Sequence, residues 1–157
     1  MFNLFLKKET ESKLISVVEY SNNYIFKTFF KIETGLWKLT DIITISKKDI
    51  SGSEITELIL KHLSCSKNVK EKNVDFKRMY ENYKEITGLS SIKKQINNSK
   101  CVQIYQQKDT ITFTPTKNGG TKGDNRGYKE LSHKNIIVEN NTENLYQYLF
   151  QCLENCE

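Results

Sequence analysis

A chain of 157 residues, 37% of them hydrophobic, is the size of one domain and can bury roughly 70% of the surface its unfolded form exposes, so a single core over residues 1–157 is expected. No window of about 18 apolar residues occurs, which excludes a membrane-spanning helix. The opening "MFNLFLKKETESK" places its apolar patch before its lysines, the reverse of a secretion signal, so a cytoplasmic protein is expected whose cysteines stay reduced and whose charge is +5.

In chain order, "LISVVEY" (Leu14 to Tyr20) and "YIFKTFFKIE" (Tyr24 to Glu33) are rich in β-branched and aromatic residues and flank "SNN", the pattern of a hairpin. "TDIITIS" (Thr40 to Ser46) is a third strand. Ser51 and Glu54 then stand at capping-box spacing, and Ile55, Leu58, Ile59, His62 and Leu63 follow at helical intervals, predicting a helix over 53–65. His62 lies on its apolar face, where a hydrogen-bonded core histidine is expected. A second helix is predicted over 75–87 from Phe76, Met79, Tyr80, Tyr83 and Ile86, with Gly88 to end it, and "SSIKKQINN" adds a helical turn or two.

"KCVQIYQ" (Lys100 to Gln106) and "TITFTPT" (Thr110 to Thr116) read as two strands joined by "QKD". Ile111 and Phe113 alternate with threonines, so one face is buried, and Pro115, which cannot donate a ladder hydrogen bond, is expected at a sheet edge or strand end. After a glycine-bearing segment come a short strand, "NIIVE", and the clearest helix in the chain. In that helix Leu145, Tyr148, Leu149, Cys152, Leu153 and Cys156 share one face, and Ile55, Leu58, Ile59 and Leu63 show the same layout earlier in the chain. The fold expected is α+β, a mainly antiparallel sheet of five or six strands with helices packed on it.

The segment "TPTKNGGTKGDNRGYKEL", Thr114 to Leu131, holds four of the seven glycines among charged residues. It matches neither G-x-x-x-x-G-K-[ST] nor G-x-G-x-x-G, and a strand rather than a helix follows it, so no helix N-terminus offers itself to a phosphate. A loop of that length needs a task. Catalysis is not expected: His62 and His133 lie outside any catalytic motif, and a trio such as Cys101, His133 and Asp124 has nothing to recommend it over any other. Nor is a metal or other cofactor expected. Cys152 and Cys156 share a helix face, yet without a C-x-x-C pair a site with His62 and Cys65 has little support, and buried small apolar side chains is the plainer reading.

Residues 67–122 carry twelve Lys/Arg against five Asp/Glu, and residues 123–157 carry three against six. An acidic partner or nucleic acid suits the first region and a basic partner the second. A small basic nucleic-acid-binding module is therefore the alternative function. Against it, Arg78 and Arg126 are the only arginines, and no helix-turn-helix or RNA-binding sheet motif is present.

The run I-x-F-x-P-T-K-N (Ile111 to Asn118), the glycine loop, "KNIIVENNTENL" and the closing "CLENC" resemble the CdiI-type immunity proteins of bacterial contact-dependent growth inhibition systems. "DIITISKKDISGSEITELILKHLSCS" looks like that family's earlier strand-then-helix unit and "YKEITGLSSIKKQINNSKCVQI" like its middle, so the resemblance covers residues 37–156. It implies a cytoplasmic toxin inhibitor that binds one cognate toxin C-terminal domain, in many cases a nuclease, by stoichiometric contact, with no catalysis, cofactor, small-molecule substrate or membrane partner. It also implies that a toxin β-hairpin can be accepted beside the sheet, as in other strand-addition complexes. The candidate contacts are Lys117, Lys122, Asp124, Arg126 and Tyr128, with Tyr105, Thr112 and Thr114 beside them on exposed strand faces. A nucleic-acid mimic would be acidic, whereas this chain is +5. Either the toxin offers an acidic face, or the contact is the acidic set Glu130, Glu139, Glu143, Glu154 and Glu157.

Overall fold

The computed structural model describes residues 11–157; the apolar opening patch lies outside them. The chain runs β1 (Lys13–Tyr20), β2 (Asn23–Lys31), β3 (Trp37–Lys47), α1 (Gly52–Cys65), α2 (Phe76–Thr87), α3 (Ile92–Asn97), β4 (Ser99–Gln107), β5 (Thr110–Asn118), β6 (Tyr128–Glu130), a single 3-10 turn at Ser132–Lys134, β7 (Ile136–Glu139) and α4 (Leu145–Asn155). All strand pairings are antiparallel, in the order β3-β2-β1-β4-β5-β6, with β7 also on β5. The α+β expectation holds, with seven strands in place of five or six. The added strand is β6, which forms within the glycine segment.

The two faces of the sheet differ. Alternation puts Ile15, Val17, Phe26, Val102, Ile104, Ile111 and Phe113 on one face, where α1 and α4 cover them with Ile55, Ile59, Leu63, Leu145, Leu149 and Cys152. Leu145 and Leu149 are fully buried there, and each contributes about 1.5–3 kcal/mol. The opposite face carries a smaller cluster, Val18, Ile25 and Cys101, with Ile43, Leu89 and Tyr128 packed on it. Tyr83 of α2 and Gln95 of α3 are buried and hydrogen-bonded to each other, and Gln95 reaches the Tyr128 hydroxyl. Helix α2 also packs on β3, and Leu14, Lys27, Gln103, Tyr105 and Thr112 of this face are only partly covered.

Helix α1 begins as its sequence predicts. Ser51 Oγ accepts from the Glu54 N–H at 3.1 Å, and the Glu54 carboxylate accepts from the Ser51 N–H at 2.8 Å. Ser51→Ala removes this reciprocal cap and is expected to cost about 1 kcal/mol, read from the midpoint of urea unfolding. Helix α2 ends at Gly88, whose φ of 66° is left-handed.

Pro115 departs from expectation, since it stands inside the sheet with Val102 of β4 across from it. A strand residue's N–H and C=O point to the same side, and the Pro115 carbonyl accepts from the Leu131 N–H at 2.9 Å on the side away from β4. On that side β7 pairs with Thr110–Phe113 and β6 with Thr116–Asn118, so the missing N–H falls in the gap between two partner strands. A proline costs no ladder hydrogen bond there.

Candidate interaction surface

The glycine segment is a hairpin with a shaped tip. Strand β5 continues to Asn118, β6 returns at Tyr128, and Thr116–Asn118 pair with Tyr128–Glu130. Above the last rung, the Gly119 N–H donates to the Gly127 carbonyl and the Gly127 N–H to the Gly120 carbonyl, both at 2.8 Å. A side chain on Gly119 would place its Cβ 1.5 Å from the Asn125 carbonyl oxygen, and Gly120, Gly123 and Gly127 hold φ values of 74°, 84° and 82°. The composition that looks like slack is what this closed turn requires.

The hairpin base is pinned from three directions. Asn118 donates its side-chain amide to the Ser99 carbonyl at 2.8 Å and to the Ile96 carbonyl, while its Oδ1 accepts from the Gly120 N–H at 3.0 Å. The Glu157 main chain clips onto β5: its N–H donates to Thr116 and its carbonyl accepts from Asn118. The Glu157 carboxylate meets Lys134 at 2.7 Å and Lys117 at 3.7 Å. The Lys134 hydrogen bond chiefly holds its pKa below the usual glutamate value.

The predicted contacts separate on this frame. Lys122, Asp124 and Arg126 are exposed together on the turn, so the structure does bring these three to one presented tip. Lys117 is exposed at its base and shares Glu157 with Lys134. Tyr128 is different: its hydroxyl is hydrogen-bonded to Ser99 and lies within reach of Gln95, and its ring belongs to the second core cluster. Burial accordingly pushes its pKa up. Tyr105 and Thr112 are cross-strand neighbours, both half-buried, and Tyr105 meets Trp37 edge to face at 6.3 Å. Thr114 is only 7% exposed and must be corrected from exposed to buried. It lies in mid-sheet, across from Gln103 on one side and beside the chain returning from β6 on the other. Of the acidic alternative, Glu157 is committed to internal partners, whereas Glu130, Glu139, Glu143 and Glu154 are exposed.

His62, Cys101 and Cys152 lie inside the fold. Thr28 and Thr44 occupy both ring nitrogens of His62, at 2.8 and 2.9 Å. Cys101 and Cys152 are buried, and burial pushes their thiols up to about 11 and about 12, far from the reactive thiolate range. His133 and Asp124 are exposed while Cys101 is covered. Among the described residues no group of three or more His, Cys, Asp or Glu is placed to hold a metal ion, and no helix there is long and apolar enough to cross a membrane.

Sequence reasoning passed over a pocket on the partly covered second sheet face, lined by Ser16, Lys27, Phe29, Trp37, Gln103 and Tyr128 among others, with a volume of about 300 Å³. Its one legible signal is Lys27, a charge set directly after the buried run Tyr24, Ile25 and Phe26. A strand covered on both faces has no ordinary place for a lysine.

No family model matches this chain, and no curated protein sequence matches it. Its fold is similar to that of a solved protein of unknown function, NMB0488 from Neisseria meningitidis, with a TM-score of 0.78 at 12% identity over 100% of this chain and 99% of that one. It is also similar to a chain of the CdiA-CT/CdiI toxin and immunity complex from Yersinia pseudotuberculosis, with a TM-score of 0.75 at 18% identity over 93% of this chain and 98% of that one. At such identities the likeness is one of fold.

Proposed function

We propose that this chain is an immunity protein of the CdiI type, which neutralises one cognate toxin domain by forming a stoichiometric complex and catalyses nothing itself. The observation that carries the reading is end-to-end agreement of fold with a chain of a toxin and immunity complex. The glycine hairpin adds a physical reason. A turn closed by its own hydrogen bonds presents Lys122, Asp124 and Arg126 at little ordering cost, and preorganisation of that kind favours tight binding.

A second feature suits a protein partner. Strands β6 and β7 both lie on one side of β5 and, among the described residues, pair with no further strand. Ile137 of β7 is 65% exposed beside that edge. A toxin strand could add to it, the main chain supplying affinity and alternate side chains specificity.

Co-expression with the toxin domain encoded next to this gene is expected to yield a 1:1 complex by size-exclusion chromatography with light scattering, and to restore growth. Arg126→Ala is expected to weaken that complex by about 30-fold, the scale of a buried interface arginine. Failure of the unaltered chain to bind or to protect removes the reading. Binding instead to nonspecific DNA or RNA, falling steeply with added salt, would favour the nucleic-acid module.

A further inference from the structure

Among the described residues, Lys27 is a cation without a counter-ion. The ion pairs among the described residues are Lys38–Glu71, Lys48–Glu19, Lys117–Glu157 and Lys134–Glu157, and Lys27 belongs to none of them. Its cross-strand neighbours are Ser16 of β1 and Ile43 of β3, and its Nζ lies 5.3 Å from the centre of the Tyr83 ring. The nearby Cys101 thiol, pushed up to about 11 by burial, is neutral at pH 7 and supplies no charge. Burial likewise pulls the lysine below its usual pKa. Beside it Ser16 is 4% exposed, and among the described residues its Oγ meets no nitrogen or oxygen partner, only the Cys101 sulfur, a weak acceptor.

Both side chains line the same pocket of about 300 Å³, whose walls include Phe29, Trp37 and Gln103. One ammonium, one hydroxyl whose sole neighbouring acceptor is a thiol, and one amide, surrounded by aromatic and apolar wall, match a singly charged acceptor on an apolar stem. A phosphate dianion would call for more positive charge and favours arginine, which this pocket lacks.

We propose that this pocket receives the carboxylate of an acidic side chain from the bound protein, Lys27 pairing with it, Ser16 donating to it, and Trp37 and Phe29 enclosing its stem. The identity of that protein rests on the toxin-binding reading; the chemistry of the pocket does not. An unpaired, partly desolvated charge weakens the free fold, so a residue kept there is explained by what it binds.

The free protein tests the chemistry. Titrated with 3-phenylpropionate, the amide NMR signals of Ser16, Lys27, Gln103 and the Trp37 indole are expected to shift, but not with 3-phenylpropan-1-ol and not in Lys27→Met. Absence of that carboxylate-dependent shift overturns the site whether or not a toxin complex forms. The complex tests the occupant: Lys27→Met is expected to weaken toxin binding by about 30-fold or more while leaving the free protein's melting temperature equal or higher. One Glu→Gln or Asp→Asn change in the toxin should then be non-additive with it. A wild-type complex that Lys27→Met leaves unchanged overturns the docking of a protein carboxylate, even if the small acid binds. A wild type that forms no complex while 3-phenylpropionate still shifts these signals overturns the toxin reading and leaves the pocket's chemistry standing.

Discussion

Gly119→Ala is expected to cost about 3 kcal/mol of stability, the upper end of what overpacking costs, and to weaken toxin binding along with it. The added Cβ would fall 1.5 Å from the Asn125 carbonyl oxygen, which is backbone and has no rotamer by which to retreat. Relief requires the turn to open, breaking the 2.8 Å hydrogen bonds that join Gly119 to Gly127 and Gly127 to Gly120. Neighbouring glycines separate the steric cause from the conformational one. At Gly120 and Gly123 a Cβ meets nothing within 4 Å, although φ is positive at both. Alanine there carries only the left-handed backbone penalty, about 1–2 kcal/mol. Urea unfolding of the three variants should rank Gly119→Ala last in stability. Equal losses at all three positions would mean that the close approach at Asn125 does not govern the turn.

The same turn shows where the sequence is legible and where it is not. Helix α1 could be read because two local signals agree, the Ser51–Glu54 box and an apolar face at 3.6-residue spacing, and neither depends on distant chain. Helix α4 was equally plain, its predicted face including Leu145, Leu149, Cys152 and Leu153, all buried. Strand β6 could not be read: Tyr128–Glu130 has no apolar alternation and is a strand only because Thr116–Asn118 lies across from it. Burial of Thr114 and the interior place of Pro115 depend likewise on which segments return beside β5. For the candidate surface, exposure of Lys122, Asp124 and Arg126 followed from composition. The engagement of Tyr128 did not, because Ser99 and Gln95 come from a segment thirty residues away that only the fold brings near. Lys27 passed unread inside a strand pattern, and the Ser16 hydroxyl beside it, with no nitrogen or oxygen partner among the described residues, emerges only from cross-strand register.

Acid is expected to destabilise this protein well before its carboxylates titrate, and His62 is the reason. Its ring stacks on Phe26 at 5.7 Å, it is 1% exposed, and Thr28 and Thr44 hold both ring nitrogens. Neutral imidazole suits this site as donor at one nitrogen and acceptor at the other; the protonated ring has two donors and an uncompensated buried charge. Burial, with a smaller contribution from Lys61, lowers the pKa from 6.5 to about 4. Between these values the unfolded chain binds the proton and the folded chain does not, so folding stability falls as pH is lowered. The full contribution is present above about pH 6.5, and it is gone once pH passes below the folded value. A depression of this size corresponds to at most about 3 kcal/mol, of which about 2 kcal/mol is lost between pH 7.5 and 5. For a chain of this length that is a fall in melting temperature of about 4–8 °C. Glu54 and Glu157 also have lowered pKa values, from hydrogen bonds to Ser51 and Lys134, but their contribution is lost only as pH falls below the ordinary glutamate range. The window from pH 6.5 to 5 therefore belongs to His62. His62→Gln keeps a donor and an acceptor but cannot titrate, so its stability should start lower and stay flat across that window. If the wild type is equally flat from pH 7.5 to 5, the imidazole is not held neutral in the core, and its place between Thr28 and Thr44 must be wrong.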